Sequence, residues 1–201
     1  RRTCQHRQPL YGKQHHRHIW AGGGSHLPDG RYFVANIPTE EVFTLPHRNG
    51  VDGIVYASMP LAYNGNIIDG FWLRFEDGKV VDFDAEKGKD VLAHFLKTDD
   101  GAKHLGEVAL VPDDSPISNR KQLFYNTLYD ENASCHLALG KAYPTCLKDS
   151  GDLSKEELLE RGANDSLTHV DFMVGTPDLS ITATTVDGEE VPIFVDGNWA
   201  K

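Results

Sequence analysis

The chain has 201 residues, 39% hydrophobic and 25% charged, with a formal net charge of −10. That is an ordinary globular composition, long enough for one large domain or two small ones. No apolar run approaches the roughly 18 residues that a membrane helix needs, and no apolar signal-like segment opens the chain, so neither a membrane nor secretion is expected.

Charge is unevenly placed. Residues 1–18 hold five Arg/Lys, no Asp/Glu and four of the ten histidines; without them, 15 Lys/Arg face 30 Asp/Glu. So acidic a body argues against nucleic-acid binding, which rests on neutralising phosphates with basic groups. Cys4, Cys135 and Cys146 are scattered and odd in number. They form no disulfide framework and fit a reducing compartment, the cytoplasm.

In chain order, residues 1–18 show no apolar periodicity. They read as an unassigned tail, vector-derived or misjoined, ahead of a domain over residues 19–201. Trp20–Ser25, with three consecutive glycines, reads as a loop. Strands are expected over 31–37, 40–45, 51–59, 66–75 and 79–83, the last two flanking the hairpin signal Glu76-Asp77-Gly78. A helix is expected over 84–98, with Val91, Leu92 and Phe95 on one stripe. Then come a strand over 105–111, a helix over 119–130, and an apolar segment over 131–140 containing His136. A short helix over 153–161 has Ser154 and Glu157 at capping-box spacing and Gly162 as its stop. A strand over 166–175 and a meander of 179–186, 190–195 and the final turn close the chain. The fold class is mixed α+β, sheet-dominated, with largely antiparallel or mixed strands and about three helices.

Buried charge is costly unless paired or bound to metal, so carboxylates and imidazoles in apolar contexts are informative. His169 and Asp171 lie two positions apart in a strand and therefore share a face. Such a pair can ligate a divalent ion or simply hydrogen-bond to each other. Glu107 sits inside Leu-Gly-Glu-Val-Ala-Leu-Val, Glu41 begins a strand, and His136 lies in an apolar run. Together the five are the mixture expected for two divalent ions sharing a site. Glu40 would face away from Glu41 on a regular strand and could act as a general base only across a bulge. Cys135 diverges from His136 and has no third orienting group, so a thiol nucleophile is rejected. Asn132 and Glu131 are candidates to orient the His136 ring, and His47-Arg48 reads first as a surface turn and only second as a substrate contact.

The segments TEEVFT around Glu41, LGEVALV around Glu107, LYDENASCHLALGKAY around His136 and Tyr143, and LTHVDFMVG around His169 and Asp171 resemble, in order and spacing, the M29 family of metallo-aminopeptidases, types S and T. The resemblance runs from about His18 to the C-terminus and covers the metal-binding half of proteins about twice this length. It implies Glu41, Glu107, His136, His169 and Asp171 as metal ligands and Tyr143 as a catalytic side chain that hydrogen-bonds the tetrahedral oxyanion. It also implies two divalent ions, zinc or cobalt first and magnesium or manganese next, a peptide substrate cleaved after its N-terminal residue, and a homodimer. The alternative is a catalytically inactive metal-binding or dimerisation fragment of such an enzyme.

Overall fold

The structure, a computed structural model, describes residues 9–13, 17–22, 24–34 and 40–201. Its centre is a five-stranded antiparallel sheet in the order His169–Met173, His136–Gly140, Leu105–Leu110, Val42–Thr44, Ala21–Gly22. A second sheet joins Tyr11–Gly12, Val51–Tyr56, Trp72–Glu76 and Lys79–Asp84, and a third joins Ile181–Thr184, Glu190–Val195 and Asn198–Trp199. Every strand pair among the described residues is antiparallel. Three α-helices, Lys89–Phe95, Thr127–Asp130 and Lys155–Glu160, accompany them. A mixed, sheet-dominated antiparallel fold is therefore what the patterning anticipates.

The two-residue period of a strand divides the central sheet into two chemistries. On one face the cross-strand row Val108–Leu137–Phe172, with Leu139 and Val170, joins Val55, Leu73 and Phe75 of the second sheet in the main core. On the other, Ala138 stands opposite Glu107 on one side and Asp171 on the other, while Gly140 stands opposite His169. His136, two residues before Ala138, shares that face. Four functional side chains thus project from the side that the core does not use.

A bulge makes this division work. Leu105 pairs with Leu139 but Glu107 pairs with Ala138, so the register shifts across Gly106. Without the extra residue, Leu105 and Glu107 would share a face; with it, Leu105 enters the core and Glu107 the polar side. Only glycine fits at the bulge: a Cβ on Gly106 would lie 2.4 Å from the carbonyl oxygens of both Gly140 and Lys141.

Several expected elements are shorter than their patterns. The 84–98 helix begins only at Lys89, because Asp84 completes the preceding strand and Gly88 turns the chain in the left-handed region. Of the 119–130 helix, only Thr127–Asp130 is α-helical, preceded by a turn of 3-10 helix at Ser118–Arg120. The reason is Asp130, which is 2% exposed. Its carboxylate accepts from the backbone N–H groups of Phe124 and Asn126, folding the segment into a loop around itself. The 66–75 strand breaks at Asp69-Gly70 into Asn66–Ile68 and Trp72–Glu76. The glycine run is not simply a loop: Ala21–Gly22 forms the edge of the central sheet and Gly24–His26 pairs with Tyr32–Val34. Residues 35–37 of the first expected strand lie outside the described residues, as do residues 1–8 and 14–16 of the tail and Cys4 with them. Cys135 and Cys146 are free and buried. No described helix is long and apolar enough to cross a membrane.

Gly106→Ala is expected to lower unfolding free energy by about 2 kcal/mol, the usual cost of overpacking, read by urea denaturation. A loss below about 0.5 kcal/mol would mean that the bulge accommodates a side chain.

Candidate metal centre

His136 opens its strand directly after Ser134-Cys135 and is 1% exposed. Its Nδ1 lies 3.0 Å from the Ser134 carbonyl oxygen. A carbonyl only accepts, so Nδ1 carries a proton and Nε2 faces the opposite way. Nε2 stands 3.5 Å from Glu41 Oε1 and 3.5 Å from Glu107 Oε1, yet it has no hydrogen-bond partner. Asn132 does not orient this ring, since its amide donates to the Leu128 carbonyl.

His169 repeats the arrangement. Its Nδ1 donates to the Lys141 carbonyl oxygen at 2.7 Å. Its Nε2 lies 3.4 Å from Asp171 Oδ1 and 3.8 Å from Glu107 Oε2. Asp171 Oδ1 is likewise buried without a hydrogen bond. The two oxygens of Glu107 therefore face two different imidazoles, the disposition of a bridging carboxylate.

The five residues singled out from the sequence come together, and a sixth joins them. Potential ligand atoms fall into three overlapping groups: Glu41, Glu107 and His136; Glu107, His169 and Asp171; and Glu131, His136 and Asp171, with all atoms in a group within 4.8 Å of one another. Two ligands on a tetrahedral ion with bonds of about 2.0–2.1 Å stand about 3.3 Å apart. The imidazole–carboxylate separations are close to that spacing, and an ion would satisfy both orphaned buried atoms. The donor set, imidazoles with carboxylates, suits zinc and its neighbours. Glu131 escaped the sequence reading as a ligand because it lies in the polar run Tyr-Asp-Glu-Asn, where a carboxylate looks solvated. Its one signal is its place on the short segment that delivers His136.

Glu40 is exposed and belongs to none of these groups. The strand it precedes keeps unbroken register with Leu110, Ala109 and Val108, so no bulge within it turns Glu40 inward. Tyr143 is 47% exposed at the margin of the site. Its ring rests 4.8 Å from that of His169 and 6.1 Å from that of Phe43. Cys135 is spent on structure: its thiol donates to the Val111 carbonyl and accepts from the Val111 N–H. His47-Arg48 sits in a turn tied to Lys13 and Asp100, as expected.

The electrostatics describe a site short of positive charge. Burial raises the Glu107 carboxyl above its ordinary range, and burial together with Asp171 raises Glu131. Burial opposes charge on both imidazoles, but the carboxylates outweigh it: His136 is raised well above its usual value and His169 to about 9. Burial and then the Glu107 and Asp171 charges push the Tyr143 phenol up to about 12. Protons on the histidines serve in the metal-free protein as the counter-charge that a divalent ion would supply.

The family model described as thermophilic metalloprotease (M29) matches residues 8–199. The chain belongs to the M29 family. Aminopeptidase 2 of Geobacillus stearothermophilus is 61% identical to it over 183 residues, 91% of this chain and 44% of that protein. Aminopeptidase AmpS of Bacillus subtilis is 56% identical over 92% of this chain and 45% of its own length. Among solved structures, wild-type AmpT from Thermus thermophilus matches with a TM-score of 0.88 at 42% identity, over 96% of this chain and 49% of that one. This M29 chain thus spans less than half the length of these curated relatives. Membership of a metalloprotease family supports a metal, and the orphaned Nε2 and Oδ1 atoms make this cluster the candidate to hold it.

Protonation and metal loading should pull stability in opposite directions. In the metal-free M29 chain, His169 has a folded pKa of about 9 against an ordinary value of 6.5. Its contribution to stability is therefore complete below pH 6.5 and vanishes as pH rises through about 9. Glu107 and Glu131, also raised, act in the same sense. Metal ligation requires the deprotonated groups, so stabilisation by zinc grows with pH. Melting temperatures of chelator-treated protein should fall from pH 6.5 to 9 while the gap to zinc-loaded protein widens. A gap independent of pH would place the zinc on other groups.

Proposed function

We propose that this chain is the metal-binding part of an aminopeptidase that removes the N-terminal residue from peptides, with residues 19–201 as its catalytic unit. The observation that carries the reading is Glu107, whose two oxygens address His136 and His169 separately. That disposition favours two divalent ions, zinc or cobalt first and magnesium or manganese next. Glu41 and His136 would hold one, His169 and Asp171 the other, and Glu107 both. Glu131 is added to the set through its group with His136 and Asp171.

Such ions, when bound, polarise a carbonyl and lower the pKa of a water. The chain's own residues supply the rest. His136 and His169 present Nε2 inward because the Ser134 and Lys141 carbonyls hold Nδ1. A carboxylate of the four that is left uncompensated by an ion would favour a free α-amino group, the mark of an exopeptidase substrate. The Tyr143 hydroxyl, protonated up to about pH 12, is a hydrogen-bond donor throughout the working range, and its ring against His169 supports a role beside the scissile carbonyl oxygen as that atom gains charge. Glu40 can serve as base only in a conformer that turns its side chain inward. Glu131, inside the cluster, is the better placed carboxylate for that role where it is not spent on an ion.

A cytoplasmic homodimer completes the reading. Free, buried Cys135 and Cys146 support a reducing compartment. The exposed Val186 and Val191 on the C-terminal hairpin offer apolar surface to a second copy.

Hydrolysis of an aminoacyl-anilide with zinc or cobalt is expected, and removal of metal by a chelator should abolish it. Tyr143→Phe should keep metal content unchanged while kcat falls about 10²–10³-fold. Persistent turnover would remove Tyr143 from catalysis. Stoichiometric metal without any anilide cleavage by the unaltered chain would favour the inactive, metal-binding alternative.

A further inference from the structure

Asn164 is 2% exposed and lies in the segment between the helix Lys155–Glu160 and the His169 strand. None of its hydrogen bonds reaches a member of the metal cluster, yet it grips the backbone that orients His169. Its amide nitrogen donates to the carbonyl oxygens of Gly140 at 2.6 Å and Gly101 at 2.8 Å. Its own main-chain carbonyl accepts from the Ala142 N–H at 2.8 Å. The residue therefore holds the chain on both sides of Lys141, through Gly140 before it and Ala142 after it. The Lys141 carbonyl, so fixed, accepts from Nδ1 of His169. One residue beyond Ala142 is Tyr143.

The clamp is needed because the held backbone is unusual. Gly140 has φ 108°, and a Cβ there would lie 2.1 Å from the Thr168 carbonyl oxygen. Past Gly140 the pairing with the His169 strand continues only through the Lys141 N–H, which donates to the Thr168 carbonyl at 2.7 Å; among the described residues the Lys141 carbonyl itself has no partner in the sheet ladder. Buried carbonyls require donors, and the Asn164 amide supplies one to Gly140 while sharing the Gly101 carbonyl with the His104 N–H.

We infer that Asn164 is a positioning residue for the metal centre: by clamping the peptides around Lys141, it sets the direction of the Lys141 carbonyl and so the presentation of His169 Nε2. The inference rests on the two-ion reading above. It assigns Asn164 to one half of the site only, since His136 takes its orientation from Ser134, on a separate segment.

The test is metal binding by the full chain, with cobalt as the probe, followed by competition and by the visible absorption of the bound ion. The unaltered chain should take up two ions. Asn164→Ala should weaken one of them roughly 10–100-fold, as loss of an outer-shell partner does, and leave the other near its original affinity. The spectrum of the remaining single-ion form should match that of His169→Ala and differ from that of His136→Ala. Asn164→Ser, which keeps one donor, should fall between. A merely structural loss would weaken both ions alike, so equal weakening overturns the inference, as does unchanged two-ion binding. If neither Asn164 variant folds, the residue is a determinant of the fold and the positioning role is withdrawn. Failure of the unaltered chain to bind two ions would instead sink the two-ion reading itself.

Discussion

Four carboxylates and two imidazoles converge on one face of a sheet whose other face is the hydrophobic core. That concentration of buried negative charge constrains everything around it. Each carboxylate loses hydration on burial, and each is pressed by the others. The imidazoles answer by holding protons well above their ordinary range. A divalent ion answers better, because it brings two charges and satisfies lone pairs that no protein donor reaches.

The sheet solves the geometric side of the same problem. Glu107, Ala138 and Asp171 form one cross-strand row, so the two carboxylates flank a residue with almost no side chain. Ala138 leaves room above the middle strand, where a leucine would fill the centre. The bulge at Gly106 and the left-handed Gly140 let the backbones come close enough for the row to exist. The ring directions are then set by main-chain carbonyls, which are stiffer than side-chain partners because the sheet and its connections already fix them.

Much of this was legible in the sequence, for a definable reason. An isolated carboxylate among apolar residues, as at Glu107, is conspicuous, and the two-residue spacing of His169 and Asp171 fixes a shared face. The Ser154–Glu157 capping box was equally readable, since both of its hydrogen bonds are local. What stayed hidden depends on contacts distant in sequence or on residues whose surroundings look polar. Glu131 looked solvated. Asp130 looked like a helix terminus but is the hub that unwinds the expected helix before it. The glycines after Trp20 carried no pattern that would mark a sheet edge. Asn164 gave no signal, because an asparagine in a loop is ordinary until its three backbone partners are known.

The order of the candidate ligands along the chain has a temporal meaning. They run from Glu41, just before an early strand, to Asp171 on the last strand of the central sheet, and Glu41, Glu107, His136 and the His169–Asp171 pair are brought together by pairing between strands distant in sequence. Topologies built from such pairings are slow to form, because loop closure must precede any reward from contact. Metal cannot template this fold as zinc templates a small finger, where the ligands are near neighbours. During synthesis, Glu41, Glu107 and His136 would emerge well before the strand that completes their centre. Capture of an ion at these groups would thus report that the last strand has docked, so that the centre could not be complete before the sheet that carries it.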